Sequence, residues 1–510
     1  LTANNTRERM AGILCHVTSL PGGDGSGTLG RHALAFVDAL AGSGFDLWQV
    51  LPLNPTDEKG SPYLSASAFA CNTTLIDLDE LAGFGFEPTR RLERTARVDV
   101  GAVAAYRARI DGELVHWFRV DPGALPLRRS FGAFVARNAG WLDDFALFSV
   151  LHRDVHDRAP WWRWEADIRD RCPKALAGLR ARFSARIEGE KILQYLCHRQ
   201  WRAVKARARA AGVRVLGDLP IYVSADSADV WANPGLFLLD DRKEPLVRAG
   251  VPPDYFCRDG QLWGNPIYDW RALADTGFDW WKRRIARAAE LYDLVRIDHF
   301  RAFADFWAVP KGAATAREGT WRPGPGAALL NALREVVALD RLVAEDLGHI
   351  DERVLRLRDE FGLAGMAVVQ FGCDGDADNP HHFRNHAENT FAYLSTHDNA
   401  TSLAWLSTLD PWHRAQVADA VGRPRDASDR GLLSALMERT MASRAGAAVI
   451  CLQDVLGLGD EATMNRPGRA DGNWAWRVAP GTDLAAALGP VGRFAIDSGR
   501  SDGRSPQAGG

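Results

Sequence analysis

Short apolar runs rich in Val, Ile and Leu recur along the chain, and each ends in polar or acidic residues. They are GILCHV (12–17), LWQVLPL (47–53), VRVLGDLPI (213–221), LVRIDHF (294–300), LVAEDL (342–347), MAVVQF (366–371), FAYLSTHD (391–398) and AAVICLQD (447–454). Continuous runs, rather than alternating ones, suit parallel strands buried on both faces. Segments with helical spacing of their apolar positions separate most of them, as at 31–42, 328–339, 351–361 and 429–444. Eight strand-plus-helix units predict an α/β fold, a (β/α)8 TIM barrel.

Two connections are too long for simple crossovers. The first, 54–212, holds amphipathic helical segments and tryptophan-rich stretches and reads as a helical insertion between the second and third strands. The second, 222–290, is dense in Pro, Gly, Asn and aromatics (WANPGLF, AGVPPDYF, GQLWGNPIYDW) and reads as a long ordered loop region covering a substrate between the third and fourth strands. The barrel then spans 1–498 without a separate C-terminal β-domain, and 499–510, GRSDGRSPQAGG, reads as a disordered tail.

Composition narrows the classes. With 46% apolar and 25% charged residues among 510 and a net charge of −3, the chain has no electrostatic case for nucleic acid or an anionic membrane. Its densest basic stretch, Arg202 to Arg209, has the spacing of a solvated helix face. Seven scattered cysteines without C-x-x-C pairs indicate neither a disulfide framework nor a zinc site, and point to a reducing, cytoplasmic setting. Neither an apolar core near Leu1 to Met10 nor a window of about 18 apolar residues suggests secretion or membrane spanning. No clustered loop of oxygen ligands indicates calcium.

The chemistry lies in the acidic residues at the strand ends: Asp218 on the third, Asp298 on the fourth, Glu345 on the fifth, Asp398 on the seventh and Asp454 on the eighth. Parallel barrel strands would bring these to one rim, where like charges raise each other's pKa, so a cluster is better explained by reaction chemistry than by stability. A structural ion-pair role competes for each one, since Arg296 and Arg301 flank Asp298. Retaining glycoside chemistry needs two carboxyls about 5–5.5 Å apart, one attacking the anomeric carbon and one exchanging a proton with the leaving and incoming oxygens. Asp298 and Glu345, from adjacent strands, suit nucleophile and acid/base, with Asp398 stabilising the oxocarbenium-like charge. His299 and His397 can donate to sugar hydroxyls, and Tyr63, Trp231, Tyr255, Phe256 and Trp263 lie in loop-like stretches where a sugar face can stack.

Together with GILCHVTSLPG (12–22), LWQVLPLNPT (47–56), SPYLSASAFACN (61–72), GDLPIYVSADSADVWANPGLF (217–237), AGVPPDYFCRDGQLWGNPIYDW (249–270), VRIDHFRAF (295–303), VAEDLG (343–348), STHDN (395–399), LQDVLGLGDEATMNRPG (452–468) and GNWAWR (472–477), these residues resemble the amylomaltase family over nearly the whole chain. These are the disproportionating enzymes or 4-α-glucanotransferases, glycoside hydrolase family 77 of the α-amylase clan. The resemblance implies Asp298 as nucleophile, Glu345 as acid/base and Asp398 as transition-state stabiliser. It implies Arg296, His299, His397 and Asn399 around the sugar at the cleavage point, Asp218 near it, and Tyr63, Asp254, Gln261, Trp263 and Asn265 in loops gripping the glucan. Three positions depart from the family pattern: Ala302 for a Gly, Ala400 for an acidic residue and Thr28 for an Asp.

The expected activity is transfer of an α-1,4-glucan segment to the 4-hydroxyl of an acceptor glucose or maltooligosaccharide, by a monomer or homodimer with no cofactor or metal. Two alternatives stay open. The same covalent intermediate can pass to water, making a hydrolase, and an inert glucan-binding protein would tolerate loss of one of the three carboxylates.

Overall fold

The computed structural model describes residues 9–93, 95–253, 258–469 and 471–501. Eight parallel strands form the barrel: Met10–Leu14, Leu47–Gln49, Arg214–Leu219, Leu294–Ile297, Leu342–Ala344, Gly365–Val368, Thr390–Tyr393 and Ala447–Cys451. Each overlaps one of the eight apolar runs. The strands pair in chain order, with the eighth beside the first, and a parallel bridge from Val343 to Ala364 brings the fifth against the sixth to close the ring. The first and eighth strands are buried at every position, which is why their sequences show no polar alternation.

The crossover helices match the helical spacing closely at Arg31–Gly42, Glu352–Glu360 and Asp429–Ala442. The one expected over 328–339 is displaced and shorter, Gly326–Leu333. Between the second and third strands the chain builds long helices, among them Val100–Val120, Leu125–Val150 and Ser184–Ala210. Arg202, Arg207 and Arg209 face outward on the last of these. Trp161 is fully buried there with its indole donating to Ala225 O, and Trp231, also fully buried, donates to Ile168 O. Trp231 is therefore a core residue and not a stacking platform.

The segment 222–290 holds more regular structure than its Pro- and Gly-rich sequence suggests. Val247–Val251 and Gln261–Pro266 join Asp305–Pro310 and Thr320–Pro323, from the following connection, in a four-stranded antiparallel sheet, and the helices Trp270–Asp275 and Asp279–Leu291 close the segment. The strands were hidden because they pair across the fourth barrel strand, a partnership that no local window contains.

Two further expectations are corrected. Cys71 and Cys197 form a disulfide, with Cα atoms 6.5 Å apart, that ties the segment after the second strand to the helix Ser184–Ala210. Their separation of 126 residues follows no spacing rule, so the pairing was invisible in the chain. Gly499–Ser501 belong to the folded body: Arg500 is buried and donates to the carbonyls of Met10, Met441 and Ser443. Residues 502–510 of the expected tail lie outside the described residues. Among the described residues no strand follows the eighth, and no helix is long and apolar enough to cross a membrane.

The third strand carries a position where only glycine fits. The Tyr292 ring lies over Gly217, so a Cβ there would fall 2.1 Å from it, and the Tyr292 hydroxyl is held by Leu53 N at 3.3 Å. Gly217→Ala should overpack this layer and destabilise the fold by about 1–3 kcal/mol. Urea unfolding measures it, and an unchanged midpoint would mean that the ring yields freely.

Candidate active site

Hydrogen bonds that prolong the barrel ladder set the carboxylates. Asp298 N donates to Leu219 O and Glu345 N to Ile297 O, each at 3.0 Å, so both residues leave adjacent strands while still paired to their neighbours. Phe300 N returns to Glu345 O at 3.1 Å. The positions of both side chains are therefore fixed by the rigid part of the fold and not by loops.

A buried guanidinium organises the floor. Arg296 Nη1 donates to both oxygens of Asp218, at 2.8 and 2.7 Å, and to Asp298 Oδ1 at 2.9 Å. Arg296 and Asp218 are almost fully buried, whereas the Asp298 side chain keeps 25% of its surface exposed and so can meet a substrate. Burial raises the Asp298 pKa, Arg296 opposes this, and the charge of Asp398 raises it further. The second flanking arginine, Arg301, turns away to Asp305, Asp351 and the Trp321 ring. Of these two arginines, Arg296 is the one that pairs with Asp298.

Glu345 has a different environment. Its carboxylate accepts the backbone N–H groups of His299 at 2.6 Å and Leu347 at 3.0 Å. Burial pushes its pKa up to about 8, with Asp298 adding to the rise, while Arg296 and the two backbone donors pull the other way. His299 has a left-handed backbone, φ +50°, a conformation non-glycine residues rarely adopt, and it is this that aims its N–H at Glu345. Burial, aided by Arg301, lowers the His299 ring to about 4, which leaves it neutral.

Asp398 stands on a loop held from three directions. Asn399 Oδ1 accepts Thr396 N and Oγ1 at 2.9 and 2.8 Å, so Asn399 clamps the turn beside Asp398. Asn465 Nδ2 donates to Asp398 Oδ1 at 2.6 Å, and His397 Nε2 lies 3.2 Å from Oδ2. Asp454, expected at the rim, is fully buried and accepts Ser395 Oγ and Ser402 N, both at 2.6 Å, and Ser402 Oγ at 2.8 Å. It anchors this loop from below.

Tyr63 connects the two halves. Its hydroxyl donates to Asp218 Oδ2 at 2.7 Å and lies 2.8 Å from His397 Nε2, while its ring stacks on the His397 ring at 5.5 Å. From the antiparallel sheet, Trp263 sets its ring against the edge of His299, centroids 4.8 Å apart, and donates to Gln261 Oε1 at 3.1 Å. Asn265 is buried, donating to Val223 O at 2.9 Å. Asp254, Tyr255 and Phe256 lie outside the described residues.

The departures from the family pattern leave the carboxylates intact. Ala302 is fully buried, Ala400 is exposed with its carbonyl accepting Gln370 Nε2 at 3.1 Å, and Thr28 Oγ1 donates to Asp77 Oδ2 at 2.6 Å, where an Asp would meet a like charge. Asn465 and Trp474 join the site without having been singled out. The segment after the eighth strand folds back through Asn465 N to His397 O at 3.0 Å, bringing Trp474 to 5.8 Å from Tyr63. Both stood in recognised motifs, but an uncharged Asn and one of 18 tryptophans gave no separate signal. Among the described residues no group of three or more His, Cys, Asp or Glu side chains is disposed to hold a metal ion.

A neutral-prone Glu beside an ion-paired Asp at a barrel's mouth suits sugar transfer, and the chain's relatives agree. The 4-alpha-glucanotransferase family model matches residues 15–483. The 4-alpha-glucanotransferase of Thermus thermophilus is 44% identical over 488 residues, 93% of this chain and 95% of that one. That of Synechocystis is 42% identical over 482 residues, covering 93% and 94%. Among solved structures, the amylomaltase from Streptococcus agalactiae in complex with acarbose superposes with a TM-score of 0.91 at 36% identity, covering 97% of this chain and 100% of that one. The chain thus belongs to the 4-alpha-glucanotransferase family and is a hexosyltransferase of that activity.

Proposed function

We propose that the enzyme moves a segment of an α-1,4-glucan to the 4-hydroxyl of glucose or a maltooligosaccharide by retaining double displacement, with Asp298 as nucleophile. In the first step Asp298 attacks the anomeric carbon, Glu345 gives its proton to the departing glycosidic oxygen, and the shortened glucan leaves. In the second, Glu345 takes the proton of the acceptor hydroxyl, whose oxygen displaces Asp298 and restores the α-linkage. Asp398 faces the positive charge that develops on the ring at both transition states. The observation that carries this reading is the unlike setting of two carboxyls on adjacent strands. Asp298 is paired to Arg296, which favours its charged form, while buried Glu345, with a pKa of about 8, holds a proton at neutral pH.

Around these, Arg296, Asp218 and Tyr63 position the nucleophile, and His299, His397 and Asn399 border the reacting sugar. Gln261, Trp263 and Asn265 line the way for the rest of the glucan, and the family resemblance alone gives Asp254 a part in gripping it. The Trp263 ring stacks on a sugar face and excludes water, favouring a sugar acceptor over hydrolysis. Among the described residues the free thiols Cys15, Cys172, Cys373 and Cys451 support a cytoplasmic setting, and the Cys71–Cys197 pair points the other way.

On pure maltotriose the enzyme should yield oligomers longer than the substrate, read by chromatography; products no longer than maltotriose would make it a hydrolase. The first step needs protonated Glu345. Because its pKa is raised, kcat/KM should hold through neutrality and fall above about pH 8, approaching tenfold per pH unit. A rate constant through pH 10 would remove Glu345 from the acid's role.

Glu345→Gln should slow both steps with ordinary glucans, yet an α-glucosyl fluoride leaves without protonation, so its first step should persist. The intermediate should then accumulate, and mass spectrometry of the quenched variant should find one glycosyl unit on the peptide containing Asp298. An adduct on Glu345 or Asp398, or none in repeated trials, would overturn the assignment.

A further inference from the structure

The catalytic carboxylates leave the C-terminal ends of the barrel strands, and a second concave site opens at the other end. A cavity of about 250 Å³ is lined by Phe383, Arg384, Asp419, Gly422, Arg439, Ser443 and Arg444, among others. Ser443 and Arg444 immediately precede the eighth strand, and Phe383 and Arg384 precede the seventh, so the cavity belongs to the N-terminal face of the barrel. It shares no residue with the catalytic site.

Its charge is unbalanced. Arg384 and Arg439 make no ion pair or side-chain hydrogen bond among the described residues, although both are exposed and free to turn toward a ligand. Arg444 has only a loose contact with Glu388, 3.3 Å long and some four-fifths exposed on both sides. Asp419, the one acidic residue of the lining, is already neutralised by Arg425 at 2.7 Å. Two more guanidiniums lie directly behind Ser443. Arg500 donates to the carbonyls of Ser443 at 2.8 Å and Met441 at 2.6 Å, and Arg9 donates to the same two carbonyls.

Arg9 and Arg500 thereby cap the helix Asp429–Ala442, whose C-terminal carbonyls carry a partial negative charge. That partial charge does not cancel two full ones. Neither arginine pairs with a carboxylate among the described residues, and the nearby Asp46 is engaged by Ala11 N at 2.8 Å and by Arg214. Burial, together with the like charge of Arg9, lowers the Arg500 pKa to about 9. A buried donor also stands at the lining: Ser443 is only 6% exposed, and its Oγ makes no hydrogen bond among the described residues.

We propose that this cavity binds a phosphate group, carried by inorganic phosphate or by a hexose monophosphate. A tetrahedral dianion offers acceptors in several directions at once, which suits a lining of three guanidiniums and a hydroxyl better than a planar carboxylate does. The volume exceeds a bare phosphate and is slightly below the range of about 300–1,000 Å³ for drug-sized ligands, which leaves room for one sugar ring. Phe383, Ala420 and Ala442 supply the apolar wall such a ring would lie against.

Titration calorimetry of the whole enzyme, at constant ionic strength, with sodium phosphate, glucose 6-phosphate and glucose tests the site. The two phosphates should bind in a way that loss of the cavity's arginines diminishes, whereas any heat from glucose, an acceptor at the catalytic site, should be unchanged by that loss. Arg384→Ala combined with Arg439→Ala should weaken that binding at least about tenfold, the effect of losing charge-assisted hydrogen bonds, while leaving maltotriose transfer unchanged. Ser443→Ala should weaken it several-fold without removing the arginines. Equal affinity for the two ligands identifies inorganic phosphate as sufficient; tighter binding of glucose 6-phosphate places the sugar in the cavity. No heat from either ligand at about 10 mM, where even millimolar affinity would be visible, overturns the proposal, as does undiminished binding by the double variant.

Discussion

The site depends on one guanidinium held where water cannot reach it. Arg296 rises from the fourth strand beneath the rim and joins Asp218 of the third strand to Asp298 at the end of its own. Burying a charge is costly unless it is paired, and the cost grows when only one partner remains. Here two carboxylates share one cation, and the Tyr63 hydroxyl takes up part of the excess negative charge at Asp218. The arrangement separates two neighbouring acids chemically: Arg296 offsets the upward push that burial gives Asp298, whereas burial raises Glu345 to about 8 against its backbone N–H donors, so that it retains its proton at neutral pH.

Asp398 obtains precision by another route. Its loop is not part of the strand ladder, so its position comes from side chains: Asn399 clamps the turn, Asn465 grips the carboxylate, and buried Asp454 binds Ser395 and Ser402 on either side. A carboxylate at full burial satisfied by three short donors is a rigid anchor, since none of those donors has water as an alternative. The recess at the opposite end of the barrel lacks this balance; its arginines outnumber the carboxylates that reach them.

Much of this was legible in the chain. A strand buried on both faces must be apolar throughout, and a polar residue ending it must stand at the barrel's rim, so runs such as LVRIDHF and LVAEDL disclosed both the fold and the placement of Asp298 and Glu345. The long helices of 54–212 also followed from local spacing. What stayed hidden involves partners distant in sequence. The antiparallel sheet joins segments on either side of the fourth strand, the Cys71–Cys197 bridge spans 126 residues, and Asn465 reaches Asp398 through a segment that folds back.

Residue type and spacing determined that carboxylates would meet at one rim, because strand direction in a closed parallel barrel leaves them no other destination. Which of them face the substrate was decided only by tertiary structure. Asp218, Asp298 and Asp454 look alike at the ends of apolar runs, yet the first braces Arg296, the second keeps an exposed face and the third is sealed beneath a loop. Arg296 and Arg301 flank Asp298 almost symmetrically in the chain, and only one touches it. The chain alone could not separate them, because charge, burial and proton affinity are set by the atoms a side chain meets, and those come from strands and loops far away in sequence.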